Sequence, residues 1–137
     1  MKLLLTFSEM SSYAASNYGR ELEFSAVSPD TLKVSFAKKV ILTKVRLSVD
    51  LRVERVEPAL VCLSYSGNTG VEMIISGAVK MLLKSEPKLA EAIIPGKDNK
   101  ISVDLARFKK LKPALEKIEL KSITVKDEGV EISAGLK

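Results

Sequence analysis

Residues 40–65 read V-I-L-T-K-V-R-L-S-V-D-L-R-V-E-R-V-E-P-A-L-V-C-L-S-Y, and the fold turns on how this stretch is understood. Positions 41, 43, 45, 47, 49, 51 and 53 are Ile, Thr, Val, Leu, Val, Leu and Val, while 44, 46, 48, 50, 52 and 54 are Lys, Arg, Ser, Asp, Arg and Glu. Successive side chains of a strand point to opposite faces, so this period of two predicts a strand with one apolar and one solvated face. Such a strand suits an antiparallel sheet, because parallel sheets are covered on both faces and lose the alternation. From Ile41 to Arg55 it would reach about 50 Å at ~3.3 Å per residue, well beyond the usual ~5 to 6 residues. Sheets twist, so a strand of that length is expected to bow around something. Glu57-Pro58 marks a reversal into a second strand, Ala59 to Tyr65, and Ser66-Gly67-Asn68-Thr69-Gly70 reads as a small glycine loop.

What the strand would bow around lies just downstream. Val71 to Lys84 reads V-E-M-I-I-S-G-A-V-K-M-L-L-K, with its polar residues Glu72, Ser76, Lys80 and Lys84 four apart. That spacing puts them in one slowly winding stripe on a helix that is apolar over the rest of its girth. A helix of this kind needs cover on more than one side, which a curved sheet supplies, as would the middle of a layered α/β fold. Gly77 within it costs roughly 1 kcal/mol relative to Ala, as a close approach of another backbone or as a tolerated weakness.

The rest of the chain follows the same rules. Lys2 to Phe7 predicts a strand, Ser8 a helix N-cap, and Glu9 to Tyr18 a short helix that Gly19 ends. Leu22, Phe24 and Ala26 alternate up to the turn Ser28-Pro29-Asp30, and Leu32, Val34 and Phe36 alternate after it, which predicts a hairpin. Ser85-Glu86-Pro87 breaks the central helix, and Lys88 to Ile93 predicts another short one before the turn Pro95 to Asn99. Ile101, Val103 and Leu105 predict a strand, Arg107 to about Ile118 helical turns restarted at Pro113, and Ile123 to Leu136 a closing hairpin. In that hairpin Gly129 follows Asp127-Glu128, where a left-handed residue is expected. The order is mixed and its strands pair through hairpins, so the predicted class is α+β. A strongly curved antiparallel sheet with long strands would wrap one apolar helix, with short flanking helices.

With 137 residues, 46% hydrophobic and 28% charged, the chain predicts a single domain over residues 1–137 with a real core. No run approaches the ~18 apolar residues of a membrane span. Met1-Lys2-Leu3-Leu4-Leu5-Thr6-Phe7 mimics a signal peptide, but Glu9 cuts it short of the ~7 to 15 apolar residues export requires, so a cytoplasmic protein is expected. Histidine is absent and Cys62 is the single cysteine, which removes disulfide frameworks, zinc sites of usual spacing and His-dependent triads. Cys62, within an apolar strand and without a base, reads as a structural residue. Carboxylate pairs such as Glu54 with Glu57, or Asp127 with Glu128, sit in charge-mixed or turn contexts that do not suit acid/base catalysis.

Ser64-Tyr65-Ser66-Gly67-Asn68-Thr69, between a strand and a helix, resembles the phosphate loop of flavodoxins and the Ser-x-Ser-Gly-x-Thr loop of sugar isomerase domains. That resemblance implies a phosphate held by Ser64, Ser66, Asn68 and Thr69, with Gly67 admitting it to the backbone and the helix N-terminus attracting it. The same residues equally read as turn chemistry, with Asn68 or Thr69 capping the helix. Residues 32 to 137, a long strand pair, an apolar helix, a short strand, a helix and a closing hairpin ending in Gly135-Leu136, resemble small single-module members of the tubular lipid-binding (BPI-like) group. That likeness implies an apolar groove for a lipid or another amphiphile. Its lining would be Val45, Leu47, Val49 and Leu51 with Ile74, Ala78, Met81 and Leu82, residues that also suit a closed core.

Net charge is +5, and Arg107, Lys109, Lys110, Lys112, Lys117 and Lys121 cluster around Phe108. Arg107, Lys109, Lys110 and Lys112 suit an anionic membrane surface; a solvated face is the plainer reading. Only 5% of the chain is aromatic, and the patch is rich in Lys and diluted by Glu116 and Glu119, so nucleic acid is not the expected partner. The sequence therefore points to a non-enzymatic module, without cofactor or metal, that binds a hydrophobic or amphipathic ligand. The alternatives are an interaction or structural protein without a small ligand, and phosphate binding at the Ser66 to Thr69 loop.

Overall fold

The computed structural model describes residues 1–19, 21–40, 42–67, 91–109 and 111–137. The 71–84 stretch, predicted as the central helix, lies outside them. The described chain is mostly antiparallel sheet with few helices, broadly α+β, in two open sheets. Strands β1 (Lys2–Thr6), β8 (Ile118–Val125) and β9 (Gly129–Leu136) form one sheet in the order β1-β9-β8. The other runs β2-β3-β4-β5-β7-β6, from β2 (Leu22–Ser28), β3 (Thr31–Val40), β4 (Thr43–Glu57), β5 (Leu60–Gly67), β6 (Ile93–Pro95) and β7 (Lys100–Asp104).

The decisive stretch is a strand, as its alternation predicts. β4 runs 15 residues and pairs with β3 along one edge and β5 along the other. The reversal before it is tighter than the sequence suggests. β3 continues through Lys38-Lys39 to Val40, which pairs with Thr43, and Leu42 stands at the hairpin tip, 94% exposed. Past Val53 the alternation breaks, because Val53 pairs with Leu63 and Arg55 with Cys62 while Glu54 is extra. This β-bulge leaves Glu54 and Arg55 both exposed and returns Val56 to the face of Val53. β8 repeats the device: Leu120 pairs with Ala134, Ser122 with Ser133, and Lys121 is extra. Ile118 and Leu120 thereby share a face with Ile123 and Val125, although their spacing along the chain is out of phase.

The two sheets meet where the hairpin turns of the larger one reach the outer edge of β8. The N–H of Leu120 donates to the Pro58 carbonyl at 3.0 Å, and that of Val125 to the Pro29 carbonyl at 2.8 Å. β8 packs against β4 and β2 at this junction. The buried apolar side chains of the described residues are Val49, Val61, Val125 and Val130 from the two sheets, Ala14 from helix α1 (Phe7–Tyr18), and Ala92 just before β6.

α1 starts two residues earlier than predicted. Thr6, the last residue of β1, is the N-cap: its Oγ1 accepts from the Glu9 N–H at 3.1 Å and donates to Glu9 Oε1 at 2.9 Å. Thr6-x-x-Glu9 is a capping-box spacing, which takes precedence over Ser8 because β1 delivers Thr6 already extended. Gly19 ends the helix as expected, at φ 62°. The predicted helical turns after β7 shrink to a 3₁₀ turn, Leu105–Arg107, and α2 (Lys112–Leu115), with Ile118 already in β8. The predicted helix Lys88 to Ile93 ends one residue early, and its residues 88–90 lie outside the described residues. Glu91 and Ala92 are helical, but Ile93 opens the edge strand β6, where the missing N–H of Pro95 costs no ladder bond.

Candidate functional site

Registering β2 to β7 builds an apolar surface row by row. Leu22, Phe36 and Leu47 lie side by side; Phe24, Val34 and Val49 form the next row; Ala26, Leu32, Leu51 and Tyr65 the third. Beyond the third, Val53, Leu63 and Ile101 align, then, past the bulge, Val56, Val61, Val103 and Ile93. Val49 and Val61 are buried, at 5% and 7% exposure, and the other side chains of these rows are half-buried. The predicted groove residues Leu47, Val49 and Leu51 thus share one face of β4, and Val45 follows the same register opposite Lys38. Ile74, Ala78, Met81 and Leu82 lie outside the described residues. The sequence missed the flanking members Phe24, Val34, Phe36, Leu63 and Tyr65. Their signal was present in the matching alternation of the neighbouring strands, but only the turns at Pro29-Asp30, Leu42 and Pro58 set which residue stands beside which.

The opposite face is polar and internally paired. Glu23, Ser35 and Ser48 form one row, then Ser25, Lys33, Asp50 and Ser66, then Thr31, Arg52, Ser64 and Lys100. Arg46 pairs with Glu23 across β3, Arg55 with Glu57 at 3.2 Å, and Arg52 Nε reaches Asp30 Oδ2 at 3.1 Å. Asp30 also accepts from the hydroxyls of Ser28 at 2.6 Å and Thr31 at 2.9 Å. The Ser28 and Thr31 hydroxyls, assisted by the Arg52 guanidinium, hold its carboxyl below the ordinary range. Cys62, read from the sequence as a structural residue of an apolar strand, sits on this polar face, half-buried. Its Sγ lies 3.5 Å from Ser102 Oγ and accepts from Arg55 Nη2 at 3.6 Å.

The loop that resembles a phosphate site is partly strand. Ser66 pairs with Asp50 and Gly67 with Val49 at the end of β5, while Asn68 and Thr69 lie outside the described residues. Ser64 pairs with Arg52 and Lys100, and its hydroxyl donates to Glu54 Oε1 at 2.6 Å. The basic cluster does not form one helix face. Arg107 ends the 3₁₀ turn with Nε 3.5 Å from Asp104 Oδ2; Lys109 and Lys112 are exposed; Lys110 lies outside the described residues. Lys121 pairs instead with Glu119 at 2.5 Å. Among the described residues no group of three or more His, Cys, Asp or Glu is placed to hold a metal ion, and no helix is long and apolar enough to cross a membrane. Compared with protein-family models, with curated proteins and with solved structures, the chain matches none.

Proposed function

We propose that this chain is a non-enzymatic binding module for a hydrophobic or amphipathic, lipid-like ligand. In this proposal the six-stranded sheet bows around the apolar 71–84 stretch, and the ligand lies on the apolar rows centred on Leu47, Val49 and Leu51. Ile74, Ala78, Met81 and Leu82 supply the second wall. The supporting observation is that these rows run unbroken across β2 to β5 and on to β7, yet most of their side chains stay half-buried. Half-covered apolar surface gains free energy from an alkyl chain. A tail of ~16 methylenes gains roughly 13 kcal/mol when fully buried, at ~0.8 each. About 5 kcal/mol of that offsets lost freedom, leaving a dissociation constant of about 1 μM. Arg107, Lys109, Lys110 and Lys112 add attraction to anionic headgroups.

The test is native mass spectrometry of the protein as purified, followed by titration with a long-chain fatty acid and with phospholipid vesicles. The expected result is copurified amphiphile, or saturable fatty-acid binding, that Leu47→Glu and Leu51→Glu weaken at least ~10-fold. An empty native spectrum together with no saturable binding would overturn the proposal.

A further inference from the structure

Among the described residues no strand pairs with the outer edge of β1, one border of the three-stranded sheet. Met1 and Ala134 exchange backbone bonds, 2.7 Å from the Met1 amino group and 2.9 Å to its carbonyl, and the Phe7 N–H donates to the Glu128 carbonyl at 3.0 Å. Odd residues of β1 therefore bond inward to β9, and Lys2, Leu4 and Thr6 turn their backbone groups outward. β8, the other border of this sheet, has two outward N–H groups, those of Val125 and Leu120, met by the Pro29 and Pro58 carbonyls. Among the described residues β1 has no such cover, and its register with β9 carries no bulge. It carries open apolar side chains: Leu3 is 57% exposed and Leu4 37%, and Met1 just before it 70%. An open, unbulged apolar edge is a template for another strand.

We propose that the strand which completes it is β1 of a second copy of this chain, paired antiparallel about a two-fold axis at Leu4. Self-pairing in this register is complementary at every position. Leu4 meets Leu4, Leu3 meets Leu5, and Lys2 meets Thr6 of the second copy. Opposed residues point to the same side, so Lys2 arrives at the Thr6 hydroxyl, 2.9 Å from which stands the Glu9 carboxylate. Lys2 Nζ, 3.7 Å from Glu131 Oε1 in its own sheet, is thus brought between that carboxylate and Glu9 of the second copy, twice by symmetry, and no like charges are opposed. The backbone adds bonds between the two Leu4 residues and from each Thr6 N–H to Lys2 of the second copy.

Sedimentation velocity of the full chain from about 1 to about 100 μM tests this. A dimer is expected for the wild type. Leu4→Pro is expected to be monomeric with unchanged far-ultraviolet circular dichroism, because the N–H it removes faces outward and serves no bond to β9. Should that variant lose structure, Leu4→Lys decides: it sets like charges against each other on the axis while leaving the monomer intact, and should raise the dimer dissociation constant at least ~10-fold. A wild-type monomer across the range, or a dimer that Leu4→Lys leaves unchanged, would overturn the assignment.

Discussion

Gly129 opens β9 where β1 crosses closest to it, and replacing it with alanine should damage the three-stranded sheet. A β-carbon at Gly129 would lie 2.2 Å from the Leu5 carbonyl oxygen, 2.7 Å from Thr6 Cα and 2.9 Å from the Leu5 carbonyl carbon. Non-bonded carbon needs roughly 3.5 Å, so β1 must retreat by about 1 Å. That stretches the 3.0 Å bond from the Phe7 N–H to the Glu128 carbonyl out of bonding range. Overpacking costs about 1 to 3 kcal/mol and a lost ladder bond about 1 more, giving roughly 3 kcal/mol. With an unfolding entropy of ~2.1 cal/mol/K per residue, this lowers Tm by about 10 °C. Gly135→Ala is the control. There a β-carbon meets only the Lys121 side chain, with Cε at 2.9 Å, and a flexible lysine swings aside. Its Tm should stay within ~3 °C of wild type or rise slightly. Calorimetry of the two variants reads the contrast, and hydrogen exchange should show Leu3 and Leu5 amides losing protection in Gly129→Ala alone. Equal melting temperatures for both variants would refute the idea that backbone proximity dictates glycine here.

Acid should destabilise the fold through particular carboxylates. Ser28 and Thr31 hydrogen bonds hold Asp30 low, Lys121 holds Glu119 low, and Lys126, helped by Lys2, holds Glu131 low. All three are depressed in the folded state, so their stabilisation is complete above the unfolded carboxylate range near pH ~4 and disappears as pH falls through the folded values. Tm should therefore drop between about pH 5 and pH 2, and Asp30→Asn should flatten that slope. Thr6→Ala removes both halves of the link to Glu9 and should cost about 1 kcal/mol, read as a Tm lower by ~3 to 4 °C with reduced helical signal.

The sequence by itself determined where strands run and where they turn. Alternation in 41–53, in 22–26 and in 32–36, with the stops at Pro29-Asp30, Pro58 and Gly19, are local properties set by the period of side chains and by allowed φ. The β4 stripe of the apolar sheet face was legible in the same way, as Leu47, Val49 and Leu51. What only the tertiary structure decided is partnership and phase. Nothing near β1 announces that Lys2–Thr6 pairs with β9, at the far end of the chain. The bulges at Glu54 and Lys121 appear in sequence merely as broken alternation; the partner strand makes them bulges by holding Val56 and Ile123 to the apolar side. Gly129 looks like turn chemistry because it follows Asp127-Glu128, yet its φ is not left-handed and the Leu5 carbonyl is what forbids a side chain. A strand carries its own period, but its register, neighbour and close approaches arise from residues distant in the chain, and these become physical constraints only once the sheets are assembled.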